Sequence, residues 1–159
     1  MTLTYTLEEA GWAKAEIEDR GQSLKMRVSY LSDVLADLIQ AAIEIAEGGE
    51  SARFSFPDEP GGHMCFISRV GRDLVQLRVL WHREWLTPAG QKPAPGEDVF
   101  VCACTAGELS REIFDCCKRV LDQYGEEGYK ERWCAHEFPA EKFEYLSRLL
   151  FPPRKVPRG

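Results

Sequence analysis

The chain has no long apolar run. Nowhere does it reach the ~18 uninterrupted apolar residues of a membrane-spanning helix, so no membrane association is expected. Its start, MTLTYTLEEAGW, lacks a basic segment followed by an apolar one, which argues against a secretory leader and makes a cytoplasmic location the expectation. Positive charge is in short supply: 20 Lys and Arg stand against 26 Asp and Glu, a net charge of −6. Nonspecific binding to nucleic acid needs clustered cations to displace phosphate counterions, so this balance argues against such a partner. Histidine is scarce, with 3 in the whole sequence. There is no HExxH, no Gly-rich phosphate loop, no nucleophile elbow and no CxxC zinc knuckle. The usual signatures of hydrolases, nucleotide binders and structural zinc domains are therefore missing.

What is present is a 159-residue chain, 44% hydrophobic, whose hydrophobic period changes in an informative order. Residues 12 to 18 set Ala13, Ala15 and Ile17 against Lys14, Glu16 and Glu18, and residues 24 to 30 repeat the alternation with Leu24, Met26, Val28 and Tyr30. The intervening DRGQ makes these a hairpin. Ser32 is placed to cap a helix over residues 33 to 47, with Leu31, Leu35, Leu38, Ala42 and Ile45 as its apolar stripe and Gly48 and Gly49 as its stop. Strands are predicted over 51 to 57, 63 to 70 and 74 to 82, with DEPGG and GRD as turns. LTPAGQKPAPGED, residues 86 to 98, reads as a surface loop. The strand EDVFVCACT is apolar on both faces, which suggests a central position or cover on both sides. Thr105 and Glu108 have capping-box spacing and open a helix that Gly125 should stop, and Pro139 suits the first turn of a last helix. The expectation is a single α+β domain over residues 1 to 151, with a mainly antiparallel sheet of about six strands in the order ββαββββαα. A flexible tail, 152 to 159, follows.

Six cysteines, at 65, 102, 104, 116, 117 and 134, fall mostly inside predicted strands and helices, as reduced thiols acting as small hydrophobes do. With His136 they exceed the four soft ligands zinc requires, so zinc binding is one alternative. Against it, alternate strand residues hold their Cβ atoms roughly 6 to 7 Å apart, and neither metal nor cofactor is expected. A second alternative is a small enzyme or ligand-binding protein using a pocket at His82 or His63. His82 lies in WHREW beside Arg83 and Glu84, and His63 follows a turn carrying Asp58 and Glu59. Surface recognition has better material. Trp81 and Trp85 adjoin Arg83, Glu84 and Arg78, while Asp33, Asp37, Gln40, Glu44 and Glu47 line the outer face of the first helix and would steer a basic partner. Asp33, Asp37, Glu44, Glu47 and Trp85 are the expected partner-binding residues. The strand at 51 to 57 leaves pairing with a second copy open.

The stretch YGEEGYKERWCAHEFPAEKFEYLSRLL, residues 124 to 150, resembles the carboxyl-terminal part of small bacterial proteins, some of which look like immunity proteins of polymorphic toxin systems. Tyr124, Gly125, Gly128, Tyr129, Trp133, Phe138 and Pro139 carry the resemblance. It implies a cytoplasmic, non-enzymatic protein that inhibits a toxin by occluding it, and an acidic helix suits a basic toxin.

Overall fold

Seven strands and three helices follow one another as βββαββββαα in the computed structural model, which describes residues 1–84 and 94–153. The class is α+β with antiparallel pairing throughout, but the strands divide between two sheets and number one more than expected. The additional strand is β1 (Thr2–Leu7), where Leu3, Tyr5 and Leu7 are buried and Thr2, Thr4 and Thr6 face out. It pairs with β2 (Trp12–Asp19), which pairs with β3 (Gln22–Ser29). Asp19 sits opposite Gln22, and the two residues between them, Arg20 and Gly21, both have positive φ (46° and 83°). That two-residue geometry matches the right-handed twist of the strands it joins.

The second sheet has the order β4 (Ser51–Pro57), β5 (Gly62–Arg69), β6 (Leu74–His82), β7 (Glu97–Thr105). β7 is an edge strand instead of a central one. Phe100 and Cys102 point into the core, while Val99 and Val101 are 36% and 40% exposed. Its two apolar faces therefore have one covered side and one open side.

Helix α1 (Val34–Ala46) begins at Asp33, not Ser32: the Asp33 carboxylate accepts from the Ala36 amide at 3.4 Å. Beyond the expected stripe, Val34, Ile39, Ala41 and Ile43 are buried too, because β4, α2 and α3 all pack on this helix. Its last turn carries no basic residue and ends on Glu47, an unfavourable charge for a helix C-terminus. Arg69, at the end of β5, supplies the missing cation. Its Nη2 donates to the Ile45 carbonyl at 3.0 Å and its Nε to that of Gly49 at 3.1 Å.

Helix α2 (Ala106–Trp133) opens on the expected capping box. The Glu108 amide donates to Thr105 Oγ1 at 3.1 Å, and the Thr105 amide donates to Glu108 Oε2 at 2.8 Å. Gly125 (φ 67°, ψ 177°) breaks the helix, but helical structure resumes beyond it as far as Trp133, so Gly125 is a corner and not an end. Polar side chains of α2 stitch the free edge of β1. The Leu3 amide donates to Glu112 Oε1 (2.9 Å), the Leu3 carbonyl accepts from Arg119 (2.7 Å), and the Leu7 carbonyl accepts from the Tyr124 hydroxyl (3.3 Å). Helix α3 (Ala140–Leu150) has Pro139 at its N-cap and lies against α1 and α2, with Phe143 stacked on Phe114 at 4.7 Å.

One continuous core joins these parts. The Tyr5 ring stacks on Phe56 of the other sheet at 6.5 Å and meets Trp133 edge-on at 6.0 Å. Truncating such a fully buried aromatic to Ala costs about 3–5 kcal/mol, which makes this junction a large contributor to stability. Among the described residues, no helix is long and apolar enough to cross a membrane.

Candidate functional site

Since three faces of α1 are buried, its remaining strip is held rigidly, and that strip is where its carboxylates emerge. Asp37, Glu44 and Glu47 are exposed, and Asp33 is half-buried at the start of the line. Helical spacing aligns 37, 40, 44 and 47 on one side. α3 and the segment leading into it form one margin of the strip. The Tyr145 hydroxyl donates to Glu47 Oε1 at 2.5 Å, and His136 Nδ1 lies 3.9 Å from Asp33 Oδ2. Gln40 Nε2 donates to Glu44 Oε1 at 3.2 Å.

The strip is predominantly acidic, with Lys142 and His136 at its margin. Partial burial, and next the charge of Asp33, hold the Asp37 carboxyl above its ordinary pKa, with Lys142 and His136 pulling the other way. A carboxylate destabilised by its neighbours is one that an incoming cation would stabilise. Of the five expected partner-binding residues, the structure thus lines up Asp33, Asp37, Glu44 and Glu47, with Asp33 also serving as a helix cap. Trp85 lies outside the described residues. Trp81 is half-buried, its ring 4.8 Å from that of His63.

The histidines are separated by depth. His63 is 8% exposed, and its Nδ1 has no hydrogen-bond partner among the described residues. Burial drives its pKa down to about 4 against the opposing charge of Asp58, so at neutral pH it carries no proton to donate as an acid. His82 is shallower and lines a hollow of about 350 Å³ together with Trp81, Arg83, Glu84, Pro95 and Glu97. Among the described residues, no hydrogen bond joins either histidine to a carboxylate or a thiol. Cys65, on the same strand as His63, is fully buried, and burial pushes its thiol well above the ordinary range.

The other thiols are dispersed. Cys116 and Cys117 are buried in α2, Cys102 is buried and Cys104 half-buried on β7, and Cys134 is exposed at the end of α2. Burial pushes Cys102 and Cys116 up to about 12, which opposes the thiolate form that metals bind. Among the described residues, no three Cys, His, Asp or Glu side chains gather around one point that could hold an ion.

One surface escaped the sequence reading. The side of the second sheet turned away from α1 presents Met64, Phe66, Leu80, Val99 and Val101, all half-buried or exposed. Their signal in the sequence is the parity opposite to Val75, Leu77 and Val79.

No family model matches the chain, and no curated protein matches it. A solved structure with a related arrangement is a chain of the "CdiA-CT/CdiI toxin and immunity complex from Enterobacter cloacae", which overlaps 74% of this chain and 99% of that one at 6% identity, with a TM-score of 0.48.

Proposed function

We propose that the protein is a non-enzymatic binding module that captures a basic protein partner on the carboxylate strip of α1, and that the partner is a toxin it holds inactive by occlusion. The observation that supports this most is the combination of a firmly packed helix and a row of exposed carboxylates. α1 is enclosed on three sides, its open strip presents Asp37, Glu44 and Glu47, and partial burial, followed by the charge of Asp33, raises the Asp37 pKa against the pull of Lys142 and His136. A preorganised row of carboxylates steers a cationic surface and docks it without ordering flexible side chains on a mobile element. The toxin class rests on the resemblance of residues 124 to 150 described above, and Asp33 and Trp85 belong to the same proposed surface.

The test is affinity capture with the wild-type chain and with a triple variant, Asp37→Lys, Glu44→Lys and Glu47→Lys, at low and high salt. None of the three side chains is buried in the core, so circular dichroism should be unchanged. The reading expects a basic protein retained by wild type, released by salt, and lost from the variant. Equal retention by both forms removes the strip from the proposal.

A further inference from the structure

The open face of the second sheet has a register that can be read rung by rung. One rung crosses it as Arg53, Phe66, Arg78, Val101, from β4 to β7. The next carries Ser55, Met64, Leu80 and Asp98, and the one on the other side Ser51, Ser68, Gln76 and Ala103. Arg78 donates to both carboxylate oxygens of Asp98, at 2.5 and 2.7 Å, so this pair is locally neutral. On a chain of net charge −6 the face therefore carries no net negative charge, and Met64, Phe66 and Leu80 surround Arg78 at its centre. Exposed apolar patches of this kind mark association surfaces.

We propose that this face packs against the same face of a second copy, around a two-fold axis parallel to the strands and midway between β5 and β6. Face-to-face sheets lie ~10 Å apart with their strands within about 30° of one another. This axis lays β5 over the partner's β6 and β4 over the partner's β7. Phe66 then faces the partner's Arg78, a cation over an aromatic ring, and Met64 faces the partner's Leu80. Arg53 faces the partner's Val101, one rung from the partner's Asp98, and Ser68 faces the partner's Gln76. Like charges are kept off one another, and each contact occurs twice, as an isologous interface requires. An axis laid across the strands along the Arg53 rung instead stacks Arg53 on Arg53 and Arg78 on Arg78. Charge therefore selects the first operator.

The size of the face bounds the affinity. Four strands spaced about 4.8 Å apart, five residues long at about 3.4 Å each, make a patch about 19 by 17 Å. Two such patches come to about 650 Å², below the low end for specific interfaces, so a weak, transient dimer in the high-micromolar range is expected.

Sedimentation equilibrium on the full chain, from about 5 to 500 µM, tests this across the range in which a small interface assembles. The decisive variants are Phe66→Lys and Phe66→Glu. In the proposed dimer residue 66 faces the partner's Arg78, so the Lys variant should weaken association at least about tenfold, and the Glu variant distinctly less. In a dimer that sets Phe66 on Phe66, both variants repel themselves equally, and equal effects overturn the proposed axis. Monomer at every wild-type concentration, or a dimer indifferent to both variants, overturns the face altogether. Should either variant fail to fold by circular dichroism, Val101→Lys and Val101→Glu, opposite the partner's Arg53, give the same asymmetric comparison. The face lies on the side of the sheet away from α1, so charge reversal on α1 should leave self-association intact, and the two proposals can fail separately.

Discussion

Arg69→Met tests whether α1 depends on a cation borrowed from a neighbouring strand. The helix ends on Glu47 with no basic residue of its own in the last turn, and two guanidinium hydrogen bonds, to Ile45 and Gly49, close it. Methionine keeps most of the apolar stem and removes both bonds, an exposed third one to the Arg72 carbonyl (3.3 Å), and the charge. A charge-assisted hydrogen bond contributes about 1.5 kcal/mol, and the interaction with the helix dipole adds a few tenths. Part of the first contribution is recovered from water, because the site is only partly buried. The expected loss is about 2.5 kcal/mol, or about 5 to 10 °C in Tm for a chain of this length. Arg69→Lys should fall between, since one ammonium keeps the charge but lacks the fork that spans both carbonyls. Urea unfolding at pH 7 measures the change. Amide exchange at Gly48 and Gly49, which donate to Ile45 and Glu44 at 3.1 and 2.8 Å, localises it. Loss of the clamp should also weaken partner capture, as Glu44 and Glu47 sit in the turn it holds. A change below about 0.5 kcal/mol, with exchange at those amides unaltered, would refute the reasoning and show that the two glycine amides alone close the helix.

Two further outcomes concern stability. Folded His63 has a pKa of about 4 against an ordinary 6.5, so the unfolded state binds more protons between these values. Its contribution is complete above pH 6.5 and is lost as pH falls through 4, up to about 3 kcal/mol in all; urea midpoints of His63→Gln should therefore depend less steeply on pH across that window than those of wild type. Gly125→Ala and Gly128→Ala should move Tm in opposite directions. Gly125 holds φ 67° with ψ 177°, a glycine conformation whose loss costs about 1–2 kcal/mol, whereas an added Cβ at Gly128 meets Tyr124 Cβ at an ordinary 3.5 Å inside a helix, where Ala is favoured by up to about 1 kcal/mol.

Local chemistry was legible in the sequence, and neighbours were not. The Thr105–Glu108 box and the DRGQ hairpin each act within a few residues, so their structure follows from their own residues. β1 carries an equally local signal, Leu3, Tyr5 and Leu7 alternating with three β-favouring threonines, although the expected order omits it. The burial of α1 on three sides was recorded in Val34, Ile39 and Ile43, which lie off the expected stripe. Periodicity tells which face of an element is apolar but not what lies against it, so the split into two sheets and the edge position of β7 could not be read. The same limit applies to the strip. Its carboxylates were visible, but the margin built by His136 and Tyr145 depends on where α3 folds back, about 100 residues along the chain.

The stitching of β1 by α2 has a consequence in time. Leu3 finds its amide acceptor 109 residues later, at Glu112, and its carbonyl donor at Arg119. At about 5 to 20 residues per second, a ribosome needs roughly 5 to 20 s to make the intervening chain. Throughout that interval the first sheet has an unfinished edge with bare backbone groups. The nascent protein therefore passes through a window, long compared with the microseconds in which a hairpin forms, when chaperones or other copies compete for a strand that the finished molecule hides behind its own helix.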